Sequence, residues 1–184
     1  TPLPNVGNIT VETAQQLAHE ATMARREHRW EACIDGYRQA SRVHMQAMKC
    51  GERRATPADL AWYLASYASV KAGEYAQVRR DYGGAEPYYL AFFYLLDAEP
   101  TLWNRVRRLA SLMLYHYWAN IGRSMGFQFS EAETPEELAS QITDHPNAQL
   151  VNRWQSSIDN IAEVSPEFHR WAMSLVDPSP RAAA

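Results

Sequence analysis

The 184 residues are enough to bury a substantial core without disulfide or metal staples, and 46% apolar with 21% charged residues is the balance of an ordinary globular chain. A net charge of −3 is too near neutral to draw the whole chain to nucleic acid or an anionic membrane. Two cysteines make no disulfide framework: Cys33 and Cys50 fall in or beside one predicted helix, about 25 Å apart at the helical rise, and read as small buried hydrophobes of a reducing, cytoplasmic protein.

The chain opens Thr1-Pro2-Leu3-Pro4, with neither a basic start nor an apolar stretch, so no secretory signal is expected. The missing Met fits a processed chain or a piece of a longer protein. Residues 1–9 read as an extension, 10–176 as a single helical domain and 177–184 as a tail.

Helices are expected at 10–26, 29–49, 57–72, 74–82, 87–97, 101–125, 135–143, 147–163 and 166–176. Three starts carry a hydroxyl followed by proline: Thr56-Pro57, Thr134-Pro135 and Ser165-Pro166. The hydroxyl suits the orphan N–H groups of a first turn, and proline at the first helical position has no N–H to waste. Acids follow each (Asp59, Glu136 with Glu137, Glu167), where the positive pole of the helix welcomes them. Thr134 with Glu137 reads as a capping box. Gly51, Gly73, Gly83-Gly84 and Gly126 stand just after periodic apolar runs and read as stops. No segment alternates as a strand, so the fold class is all-α, an irregular stack of antiparallel helical hairpins with about nine helices.

Within that pattern Trp30, Cys33, Tyr37 and Ala40 share one helix face, small residues for close approach and aromatics to fill the seam. The stretch Trp30-Glu31-Ala32-Cys33-Ile34-Asp35-Gly36-Tyr37-Arg38-Gln39-Ala40 resembles the second helix of a tetratricopeptide repeat. Ala61-Trp62 through Gly73-Glu74-Tyr75 resembles the first helix and turn of another. Trp118-Ala119-Asn120-Ile121-Gly122 is similar to that family's Trp-x-x-Leu-Gly. The matching marks Trp30, Tyr75 and Phe129 lie 45 and 54 residues apart, against a family period of about 34, which makes the stack irregular. Residues 10–80 also resemble a microtubule-interacting-and-transport three-helix module, since the same small-and-aromatic pattern serves both.

The resemblance implies a protein-interaction scaffold or adaptor whose groove takes a peptide or a partner helix. On stacked hairpins the concave surface comes from first helices, which offer Tyr63, Tyr67, Arg105, Arg108, Tyr115 and Arg123. The family's carboxylate clamp is not implied, because its positions hold Ala18, Thr22, Tyr63 and Tyr67. From 101 to 126 the charges are Arg105, Arg107, Arg108 and Arg123, with no acid; from 130 to 167 acids prevail. The arginines either meet an acidic partner or pair with the chain's own acidic half. Arg105 and Arg108 are expected on one face, with Arg107 elsewhere.

Chemistry-bearing motifs are missing from the sequence. The six histidines form no HxxxH or paired ExxH, no Gly-rich loop could cradle phosphate, and Glu27 and Glu31 beside Arg26 and Arg29 read as a solvated charged face. The expectation is a non-enzymatic chain with no metal and no cofactor. The run from Tyr88 to Leu96 is too short to span a bilayer and apolar all round, so it reads as a central helix or a homo-oligomer interface. Two alternatives stay open: a nucleic-acid-binding helical domain using the helix of Arg105 and Arg123, against which the net negative charge argues, and an auxiliary domain of a larger enzyme.

Overall fold

A computed structural model describes residues 10–27, 29–49, 57–129 and 132–176. Among these residues the chain is all helix with no strand: α1 (Val11–Arg26), α2 (Trp30–Lys49), α3 (Pro57–Gly73), a π-turn (Glu74–Val78), α4 (Tyr82–Ala98), a 3-10 turn (Pro100–Leu102), α5 (Trp103–Ser124), α6 (Pro135–Thr143), α7 (Ala148–Val164) and α8 (Pro166–Val176). Among the described residues the chain divides into two compact units, with the boundary between Tyr88 and Tyr89.

In the first unit α2 lies between α1 and α3. Its seam with α1 is made of small residues. Ala14, Ala18, Ala21 and Ala24 recur along α1 and are all buried, as are Cys33, Ala40, Val43 and Ala47 on α2. The helices approach closely at Gly36, where an added Cβ would stand 2.8 Å from the Cβ of Ala21. The small-residue half of the Trp30–Ala40 pattern is therefore a packing seam; the side chains of Trp30 and Tyr37 lie outside the described residues.

α3 ends at Gly73 as read, but not in a left-handed cap. The glycine's backbone is right-handed helical (φ −63°, ψ −41°), and the chain widens into the π-turn, closed by the Arg79 N–H on the Glu74 carbonyl at 2.9 Å. The chain turns at Arg80, in the left-handed region at φ 55°, so the helix expected over 74–82 is a single widened turn. Gly83 and Gly84 are not a break. The Asp81 carboxylate accepts the Gly84 N–H at 3.0 Å, starting α4 at Tyr82 and placing both glycines in its first turn. A side-chain cap outweighs the modest propensity cost of glycine there.

The second unit is built on α5. Every residue from 113 to 122 is buried, including His116 and Asn120. The run read as a central helix or an interface, 88–96, has one buried face of Tyr89, Phe92, Phe93 and Leu96 and leaves Tyr94 55% exposed, so it is not central on all sides. Hydropathy misdirects here because α5 carries its polar groups inward while α4 presents apolar ones outward. Rings link the core: Phe93 stacks on Phe168 at 4.1 Å, Trp103 lies 5.7 Å from Phe168, and Trp118 meets Trp154 edge-on at 5.5 Å.

Thr134 caps α6 as read, and among the described proline-marked starts the cap differs at α8. At α6 the Thr134 hydroxyl accepts the Glu137 N–H at 3.2 Å, while the Glu137 carboxylate accepts the N–H of Glu133 at 3.0 Å, one residue before the cap. At α8 Ser165 is not the cap. Its hydroxyl is buried with no hydrogen-bond partner, and the Asp97 carboxylate takes the Glu167 and Phe168 N–H groups at 3.0 and 2.9 Å. α3 begins at Pro57 as expected, whereas Thr56 and Gly51 lie outside the described residues. Gly126, at φ 86°, ends α5 as read: it donates to the Arg123 carbonyl, and Phe127 donates to that of Gly122.

Candidate interaction surfaces

The residues read as one concave surface fall in two compact units. Tyr67 belongs to the first unit and Arg105, Arg108, Tyr115 and Arg123 to the second. Tyr67 is 44% exposed on α3, one turn from exposed Leu64, with the Lys71 ammonium 5.7 Å from its ring centre. The side chain of Tyr63 lies outside the described residues.

On α5 the exposed residues lie in the first two turns and at the last residue, Ser124. Arg105, Arg107 and Arg108 are all exposed. Val106 between them has non-helical backbone angles (φ −128°, ψ 21°), so the regular i,i+3 spacing that was to separate Arg107 from the other two is broken. Neither Arg107 nor Arg108 makes a hydrogen bond or ion pair with another described residue, although the described acids from Glu133 to Glu167 belong to the same unit. These two guanidinium groups are not spent on the chain's own acidic half.

Tyr115 points the other way. It is 8% exposed, and its hydroxyl donates to the Ala132 carbonyl at 2.9 Å, tying the segment before α6 to α5. Burial pushes its phenol above the ordinary value; the nearby Arg123 charge pulls it down, and Glu133 and Glu137 push it up. Arg123 is half-buried, with one terminal nitrogen out of solvent and without a hydrogen-bond partner. A buried structural tyrosine and a half-buried arginine thus stand where docking residues were expected.

The sequence reading missed an open groove in the first unit, about 450 Å³, lined by Glu31, Ala32, Asp35, Arg38, Glu74, Val78 and Arg79. One wall is α2 and the other the π-turn. Glu74 is its electrostatic anchor: Arg38 donates to it at 2.6 Å and Lys71 at 3.2 Å, with Arg79 at 3.9 Å. Burial pushes the Glu74 carboxyl up, but the Lys71 hydrogen bond and the charges of Lys71, Arg38 and Arg79 outweigh it and hold the group below its ordinary value. Arg79 also lies over the Tyr75 ring at 4.8 Å. The wall depends on a π-turn, whose register no 3.6-residue pattern reveals. The face read as solvated splits differently: Arg29 pairs with Glu27 at 2.8 Å in the turn after α1, and Glu31 belongs to the groove.

Among the described residues no group of three or more His, Cys, Asp and Glu is placed to hold a metal ion, and no helix is long and apolar enough to cross a membrane. The chain matches no family model, no curated protein and no solved structure.

Proposed function

We propose that this chain is a protein-interaction module, built from packed helix pairs in the manner of an irregular tetratricopeptide-like stack, that docks an acidic partner on the first turns of α5. One observation carries the reading. Arg107 and Arg108 are exposed and without ion-pair partners among the described residues, in the second turn of α5. Exposed cations with no internal acid to meet them are open to a carboxylate supplied from outside, which arginine can grip in bidentate fashion. The reading is of an adaptor rather than an enzyme.

The experiment compares the chain with its Arg107→Glu, Arg108→Glu variant in affinity capture from the native cell extract. Loss of a partner whose docking segment is acidic, with an unchanged helical spectrum, supports the reading. An identical set of captured chains rejects it, and so does capture dominated by nucleic acid.

A further inference from the structure

We infer that the groove between α2 and the π-turn is a second, separate docking site, for a partner segment that presents a lysine or arginine beside an aliphatic side chain. The charges of the groove are unevenly used. Glu31 and Asp35 stand four residues apart on α2, both exposed, and neither bonds to another described residue. Like charges at this spacing repel. The cation that could relieve them on the same wall is Arg38, three residues beyond Asp35, but it is drawn across the groove to Glu74. Glu74 is thereby served three times over, by Arg38, Lys71 and Arg79, while the carboxylates of α2 are left with none.

A partner cation is what that wall lacks. Beside it the groove offers apolar contact, since Ala32 is exposed on α2 and Val78 is 56% exposed on the π-turn. An acidic segment would meet the unrelieved pair Glu31 and Asp35, and the two guanidinium groups of the groove are already drawn elsewhere, Arg38 to Glu74 and Arg79 to Glu74 and the Tyr75 ring. Charge complementarity therefore selects a basic, aliphatic segment, opposite in sign to the partner proposed for α5. This site belongs to the first unit, so its failure would leave the α5 reading untouched.

The test uses the full chain, isotope-labelled, titrated with a short acetylated peptide alternating valine and lysine, and separately with its glutamate-for-lysine counterpart. The lysine peptide should move the methyl resonances of Ala32 and Val78, and the glutamate peptide should not. The Glu31→Gln, Asp35→Asn variant should weaken that response by roughly five- to tenfold, the scale of two exposed charge contacts. Both positions are exposed, so the fold should survive; Val78→Ala, which leaves every charge in place, should weaken the same response independently. No movement at Ala32 and Val78, equal movement with the glutamate peptide, or an undiminished response in the double variant would each overturn the inference.

Discussion

Asp97 and Phe168 are bound twice over. The Asp97 carboxylate accepts the Phe168 N–H at 2.9 Å, and Phe93, one turn earlier on α4, stacks on the Phe168 ring at 4.1 Å. A single turn of α4 thus fixes both the backbone start of α8 and the side chain that seats it. Removing the carboxylate strands two N–H groups at the first turn of α8. Asp97→Ala should cost about 1–2 kcal/mol, read as a lowered midpoint in thermal or urea unfolding, whereas Ser165→Ala should cost little or nothing because that hydroxyl has no partner to lose. The reverse ranking would show that Ser165 caps the helix after all.

At Gly36 α1 and α2 approach too closely for a side chain on α2. In an isolated helix Gly→Ala is stabilising by about 1 kcal/mol. Here the new methyl would meet the Ala21 Cβ at 2.8 Å, so the helices must part. Gly36→Ala should destabilise by about 1–3 kcal/mol. A raised unfolding midpoint would mean the seam is looser than it is drawn.

Tyr115→Phe tests a residue expected at a binding surface and found inside. Losing its hydroxyl leaves the Ala132 carbonyl without that donor, at a cost of about 1–2 kcal/mol. Partner capture by the folded variant should be unchanged. The raised phenol also predicts an alkaline effect: the neutral form is favoured in the folded chain, so its contribution is complete below the ordinary tyrosine value near 10 and is lost as pH climbs through the higher folded value. Tyr115→Phe should be less sensitive to alkali in that range.

Glu74 predicts the opposite slope in acid. Its folded value is depressed, so its contribution is present above the ordinary value of 4.5 and disappears as pH falls through the lower folded one. Glu74→Gln should cost on the order of 1 kcal/mol at neutral pH. Its stability should converge on that of the parent chain in acid, as followed by urea unfolding across pH 3–6. A constant difference across that range would show that the ion pairs contribute nothing.

Local sequence carried the all-α class and most helix boundaries, because caps, prolines and Gly126 act within one or two turns. Pro57, Pro135 and Pro166 begin helices, and Gly126 ends one. It also carried the close-packing role of the small residues Cys33 and Ala40 on α2. What it could not carry depends on partners distant in the chain. The cap of α8 comes from Asp97, about seventy residues away. The groove requires a π-turn to bring Glu74 opposite Arg38, and the burial of Tyr115 requires the Ala132 carbonyl to arrive above it. Periodicity says which face of a helix is apolar; only packing decides whether that face is covered. For that reason α5, with its inward polar groups, became the centre of the second unit, and α4, apolar all round, kept Tyr94 at the surface.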